Sequence, residues 1–305
     1  MISAGRLHLQ DGPIDLIVGA NAATADVECA YRAAVARFRT ILDELCEELE
    51  SLRAPAAPGE AKLAGRVARR MEQAVIPFAG ETFITPMAAV AGAVAEEILE
   101  AMIDAAPLRR AYVNNGGDIA LHLEPGEAFT IGLISRPDRL SLFGKTTLTA
   151  NDGIFGLATS GCRGRSFSLG IADAVTVLAE SAAQADAAAT LVANAVDLPN
   201  HPGIIRVPAR DLQPDSDLGS RHVTRGVERL PPADIALALE RGANCAMRLI
   251  GRNLIRAAAL HLQGVTKIAG IDLAEGTLPR RSSVVTRAGE VGTLSVRSAH
   301  LRFGG

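Results

Sequence analysis

Three short segments hold the residues whose types and order could do chemistry: Asn114-Asn115-Gly116-Gly117-Asp118, Ala158-Thr159-Ser160-Gly161 and Ala185-Asp186-Ala187-Ala188-Ala189-Thr190. The second and third lie in the stretch from Gly153 to Thr190, where β-like runs flank a Gly- and Ser-rich loop and a helix start aims small polar groups back at it. An anion or metal site is built from such parts. Asp186 and Thr190 are four residues apart and share a face of that helix. Taken singly, each segment also has a plain structural reading: a tight turn, a polar strand end, and an Ala-rich helix in which Thr190 bonds back to the carbonyl of residue 186.

Other chemistries find less support. Gly144-Lys145-Thr146 ends like a phosphate-binding loop, but Arg139 stands where that motif needs its first glycine, and the following TTLTAN is strand-like where a helix is required. No GxSxG elbow, HExxH or EF-hand pattern occurs, and His8, His122, His201, His222, His261 and His300 show no ligand spacing. Cys29, Cys46, Cys162 and Cys245 lie far apart with neither CxxC spacing nor a His cluster, so they read as free thiols of a reducing compartment. Cys162 would be reactive only if exposed and with a lowered pKa.

With 48% hydrophobic and 21% charged residues the composition is that of a soluble α/β protein, and 305 residues suffice for a sizeable core. The absence of Trp, with only 8 Phe and 2 Tyr, argues against the stacking platforms that bind nucleic acid. No apolar run approaches the roughly 18 residues of a membrane span, and the N-terminus lacks a secretory pattern. These features predict a cytoplasmic protein with neither a membrane nor a nucleic-acid partner. The net charge of −3 hides an asymmetry: from Arg206 to Arg302, fourteen Arg and one Lys face nine acidic residues. That basic portion, about 206–305, reads as an Arg-studded surface integrated into one domain spanning 1–305, and a homo-oligomer is left open.

The elements that must position the three segments follow from periodicity. Arg6–Gln10 and Pro13–Gly19 alternate around Asp11-Gly12, a type I′ hairpin signal. Thr24 caps a helix running to about Leu52, whose face of Val27, Tyr31, Val35, Phe38, Leu42, Leu45 and Leu49 predicts a buried Cys46. After the APAAPG break comes an Arg-rich segment to about Ile76, and Thr85-Pro86 then opens a second long helix in which Gly92 admits close backbone approach. AYVNN, DIALHL, FTIGLIS, KTTLTA, GIFGLATSG and ADAVTVLA read as strands, with a loop over Ser135–Arg139, and Ser181 with Gln184 forms a capping box for a helix to about Ala195. Beyond it, Pro208–Gly219 reads as a polar loop, Pro232 to about Ile250 as a helix, Leu254–Gln263 as a strand, and Ser282–Arg297 as a hairpin about Gly289. The fold class is α/β (α+β), with a mixed, largely antiparallel sheet covered by helices.

The order of these motifs resembles the ApbE-type flavin transferase superfamily, which moves FMN from FAD onto a protein Thr or Ser. Where that family has GIAKGYAVD, NIGGN, a VGIRDP-like strand, AIATSG, a strand and ADALAT, this chain has AAVAGAVAEE, VNNGGDIAL, IGLISRP, GLATSG, DAVTVLA and ADAAAT. The likeness covers roughly Pro86 to Ala195. It implies an ApbE-like, T-fold-like architecture in a poorly characterised branch, and Mg²⁺ with FAD or FMN as cofactors. It implies a metal site at Asp186, Thr190 and the carbonyl of Ala91, with backbone N–H groups of Asn115, Gly116, Gly117, Asp118, Thr159, Ser160 and Gly161 receiving the nucleotide's phosphates. Two departures stand out: the family's His-Ile-x-Asp-Pro segment is replaced by SFSLGIADA, and its helix Lys by Gly92. Arg163 and Arg165 either replace the lost charge or form a solvated loop.

The function implied is Mg-dependent binding of a flavin or related nucleotide, with FMN or phosphoryl transfer from a dinucleotide as the associated chemistry and no general base identifiable. The alternative is a non-catalytic binding or assembly protein on the same fold.

Overall fold

The computed structural model describes residues 5–59, 62–134, 142–270 and 293–294. The chain opens with strands β1 (Leu7–Asp11) and β2 (Ile14–Asn21), followed by helices α1 (Thr24–Glu47), α2 (Leu49–Arg53) and α3 (Arg66–Val75). A 3-10 turn at Pro86–Ala89 leads into α4 (Val90–Ala105), and then β3 (Arg110–Asn115), β4 (Asp118–Leu123), β5 (Ala128–Ile134), β6 (Leu142–Thr149), β7 (Gly156–Ser160) and β8 (Ala174–Ala179). The rest comprises α5 (Ala182–Ala195), β9 (Ile204–Pro208), α6 (Ala209–Leu212), β10 (His222–Val227), α7 (Pro232–Gly251), β11 (Ala257–Leu262), β12 (Val265–Gly270) and the short β13 (Thr293–Leu294).

Among the described residues, eight strands form one antiparallel sheet in the order β1-β2-β3-β4-β7-β8-β11-β12. Alternation assigns its two faces. Val113, Ala120, Ala158, Val175 and Val177 point into a large core shared with α1, α3, α4, α5 and α7. Ile119, Leu121, Leu123, Leu157 and Leu178 point the other way, onto Phe129, Ile131 and Leu148 of the β5–β6 hairpin. The expected α/β class, a largely antiparallel sheet covered by helices, is what the chain forms. The ladder is shortest between β4 and β7, where only Ile119↔Leu157 and Ala120↔Gly156 pair.

Two close approaches fix the helices on the sheet. A Cβ on Gly92 of α4 would stand 2.2 Å from the Ala182 carbonyl oxygen of α5, and one on Gly156 of β7 would stand 2.1 Å from the Ser181 carbonyl. Both positions therefore require glycine, and α4, α5 and β7 meet backbone to backbone. Ser181 caps α5 as expected, its hydroxyl accepting from the Gln184 N–H at 3.2 Å.

Several local expectations need correction. The first hairpin turns on Gly12-Pro13, because Asp11 pairs with Ile14. Gly12 takes φ +51°, and the Pro13 ring forbids a second positive φ, so the turn has the φ signs of type II′ rather than I′. α1 starts after Ala23 with no side-chain cap from Thr24. It buries Ala30, Tyr31, Ala34, Phe38, Ile41 and Leu45. That rotates the face away from Cys46, which is exposed. The Pro208–Gly219 loop contains α6, and β9, β10 and β12 were unforeseen. The expected loop at Ser135–Arg139 lies outside the described residues, as does the Ser282–Arg297 hairpin except for β13, which runs parallel to β5.

Candidate functional site

The three polar segments converge at one end of the sheet, under α4 and α5. Asn115 and Asp118 share the helix-facing side of their strands with Val113 and Ala120, and Ser160 shares it with Ala158. The Asn115 side-chain amide donates to the Ala91 carbonyl at 3.2 Å, which ties the end of β3 to the first turn of α4. From α5, Asp186 reaches across to the same turn and accepts the Gly92 N–H at 3.0 Å. Thr190 lies one turn further along the same face of α5. Ala91, Asn115, Asp118, Asp186 and Thr190 thus come from four separate elements to one region.

Asp118 was expected to contribute a backbone N–H, and the structure gives its carboxylate a role that sequence reasoning missed. Its Oδ1 accepts the Thr159 N–H at 3.1 Å, bridging β4 to β7 past the point where their ladder ends. Burial pushes the Asp118 carboxyl up to about 7, opposed by the Thr159 hydrogen bond and the charge of Arg165. Burial also raises the Asp186 carboxyl well above the usual carboxylate range, and the neighbouring Asp118 charge raises it further; the N–H groups of Gly92 and Ala91 act the other way. Two partly buried carboxylates therefore sit close together with only backbone N–H groups and Arg165 to offset their charge. The legible signal was parity: in Asp118–Leu123, Asp118 falls with Ala120 on the face opposite Ile119, Leu121 and Leu123.

The backbone groups expected to receive phosphates are partly engaged within the fold. The Thr159 N–H is held by Asp118, and the Gly117 N–H donates to the Asn114 Oδ1 at 2.9 Å. The Thr159 side chain faces the opposite side of the sheet and bonds the Thr176 hydroxyl at 2.9 Å. Gly161, at φ +151°, packs against the Asp173 carbonyl, 2.7 Å from where a Cβ would lie. Gly116 and Gly117 take positive φ angles of +66° and +123°, as the tight turn between β3 and β4 demands.

The loop after Gly161 separates its two arginines. Arg163 donates to the Asp173 Oδ1 at 3.2 Å, and Asp173 also accepts the Gln263 N–H at 2.6 Å, so this arginine serves the fold. Arg165 instead lies over the Gly116 turn. Cys162 between these elements is partly buried; burial and the Asp173 charge push its thiol up to about 11, so it is not an activated nucleophile.

Asp118, Asp186, the Ala91 carbonyl and the Thr190 hydroxyl offer only oxygen donors, the set that suits a hard divalent cation. A cleft of about 570 Å³ lies elsewhere, at the start of α5 between Arg66, Arg70, Glu96 and Glu100. Its volume does not make it the better candidate, because Arg70 is paired with Glu96 and Glu100, and Glu96 and Ser181 take the helix amides of Ala183 and Gln184.

The motif order and this architecture define an ApbE-like protein, and the chain belongs to the family described as AbpE bacteria, whose model matches residues 1–268. Among individual relatives, a UPF0280 protein of Methanopyrus kandleri is 40% identical over 132 residues, 43% of this chain and 49% of the relative. A UPF0280 protein of Methanosarcina acetivorans is 37% identical over 137 residues, 44% and 51% of the two chains. The chain thus spans about half the length of the curated relatives it matches. Among solved structures, the flavinyl transferase ApbE of Pseudomonas stutzeri aligns at 12% identity and a TM-score of 0.45 over 87% of this chain and 93% of that one. The ApbE protein of Thermotoga maritima gives 12% identity, a TM-score of 0.45, and coverages of 87% and 97%. Among the described residues, no helix is long and apolar enough to cross a membrane.

Proposed function

We propose that the chain binds a diphosphate-bearing nucleotide, a flavin such as FAD or FMN foremost, as its Mg²⁺ complex. The observation that carries this reading is the pair of partly buried carboxylates, Asp118 held by the Thr159 N–H and Asp186 held by the Gly92 N–H beside the Ala91 carbonyl, with Thr190 one turn along the Asp186 face of α5. A divalent cation would relieve their repulsion, and all four groups are hard oxygen ligands. When bound, Mg²⁺ supplies Lewis-acid neutralisation of diphosphate charge. Asn115 holds the Ala91 carbonyl, the Gly92 N–H orients the Asp186 carboxylate and the Thr159 N–H the Asp118 carboxylate, so these groups would present their oxygens to the cation. The flavin part rests on family membership and on the motif order. Free thiols fit a cytoplasmic home.

The test is calorimetric titration with FAD, FMN and ADP, each with and without Mg²⁺. The expected result is Mg-dependent binding that disappears in Asp186→Ala; no binding at millimolar ligand would overturn the reading. Transferase chemistry is tested separately by incubating the protein with FAD and Mg²⁺ and looking for FMN, AMP or a flavinylated product.

A second reading is favoured by one observation. Asp186 accepts N–H groups of Gly92 and Ala91 at the start of α4, and an anion there stabilises a helix without any ligand. In that reading ADAAAT is a packing motif of a non-catalytic binding or assembly protein. Unaltered melting of the wild type on addition of Mg²⁺ and nucleotide, with a lower melting temperature for Asp186→Ala, would select it.

A further inference from the structure

Gly116 is tight for a reason beyond its turn. A Cβ there would stand 1.7 Å from an Nη of Arg165, so the guanidinium rests directly on the backbone between β3 and β4. The positive φ of +66° is what requires glycine at the turn; a Cβ there would displace the tip of the Arg165 side chain. The side chain is exposed, and it forms no ion pair with any described residue, although its charge acts on Asp118. Its neighbour Arg163 is by contrast committed to Asp173.

The geometry points to Arg165 as the residue that recognises the anion of the cation-bound ligand: its fork takes a phosphate oxygen pair of a diphosphate whose other oxygens reach the cation between Asp118 and Asp186. This inference rests on the proposed cation site and adds to it the residue that selects an anionic partner. The physical case has three parts. A guanidinium presents its donors in a planar fork that matches phosphate bidentately. Contact with the Gly116 turn places that fork at the end of β3 and β4, where its charge acts on Asp118. The two carboxylates beneath it do not capture it in an ion pair within the fold, so its donors remain open to a ligand.

The test uses the full chain, Mn²⁺ as a paramagnetic probe and inorganic diphosphate as the anion. Mn²⁺ binding is followed by electron paramagnetic resonance, and diphosphate binding to the Mn²⁺-loaded protein by calorimetry. In Arg165→Ala, Mn²⁺ affinity should be unchanged or tighter, while diphosphate affinity should fall about tenfold or more. Arg165→Lys should recover only part, because a lysine keeps the charge and loses the fork. Asp186→Ala should abolish Mn²⁺ binding itself. If wild-type protein binds no Mn²⁺, the cation-site reading fails and this inference with it. If it binds Mn²⁺ but no diphosphate, or if Arg165→Ala binds diphosphate as well as wild type, the role of Arg165 is overturned and the cation site stands.

Discussion

The pair of helices α4 and α5 is flanked by two clusters of charge, and the clusters are built on opposite terms. On the outer side, Glu97 is 1% exposed and meets Arg37 at 2.6 Å, with Arg66 and Arg70 each at 3.4 Å. Glu96 and Glu100 meet the two Nη groups of Arg70 at 2.8 and 2.6 Å, while its buried Nε has no hydrogen-bond partner among the described residues. On the sheet side, Asp118 and Asp186 have only backbone N–H donors and the charge of Arg165 to offset them. In the outer cluster every carboxylate is paired with an arginine, which ties α1, α3 and α4 together. The inner one has no paired side-chain cation among the described residues, the imbalance on which the proposed cation site rests.

The largest effect expected from breaking this contrast is in the outer cluster. Glu97→Ala should destabilise the protein by about 3 kcal/mol, since removing one member of a buried ion cluster leaves the others uncompensated, and chemical denaturation should show it as a lowered midpoint. Next comes Gly92→Ala, which forces α4 and α5 apart and should cost roughly 1–3 kcal/mol together with the Mn²⁺ affinity of the proposed site at Asp186 and the Ala91 carbonyl. Losing the stability while keeping the affinity would uncouple the site from the helix contact.

The inner cluster should respond with the opposite sign. A carboxyl whose folded pKa is raised favours its protonated form in the folded state, so its contribution is retained below the ordinary value and lost as pH climbs through about 7 for Asp118. The metal-free protein should therefore lose stability between about pH 4 and pH 7. Asp118→Asn should flatten that slope and stabilise the protein at pH 8 by on the order of 1–2 kcal/mol, while weakening Mn²⁺ binding. Urea midpoints at pH 5 and pH 8 measure this, and a midpoint lowered at pH 8 in the variant would contradict it. The smallest effect concerns the thiols, where stability is untouched. Exposed Cys46 should react with a thiol reagent at pH 8 well ahead of buried Cys245 and of Cys162, whose thiol lies near 11; rapid Cys162 labelling would break the assignment.

How much of this was legible depended on whether a residue's role is set by local or distant neighbours. Ser181 and Gln184 are three apart and their cap was readable; the same holds for the sharp Gly116-Gly117 turn. The small Gly92 announced a close approach, though not its partner, Ala182. Cys46 was misplaced because a one-residue rotation of α1 moves the buried stripe, and small Ala30 and Ala34 carry little hydrophobic signal. β12 was missed because VTKIAG is an edge strand with only Ala269 buried and no alternation. β9 and β10 pair across an intervening helix, which no short window detects. The Asp118 carboxylate and Arg165 owe their roles to contacts with Thr159 and Gly116, both more than forty positions away from one partner or the other.

The two-residue ladder between β4 and β7 makes that line a seam, with four strands on either side of it. Asp118 spans the seam by a side-chain bond, and Asp186 reaches it from above, so the shortest ladder in the sheet lies where the proposed binding groups meet. An occupant would act as a rivet between the two halves. Backbone amides of β4 and β7 should then be the reporters of occupancy, exchanging with solvent through seam opening when the site is vacant and slowing together when it is filled.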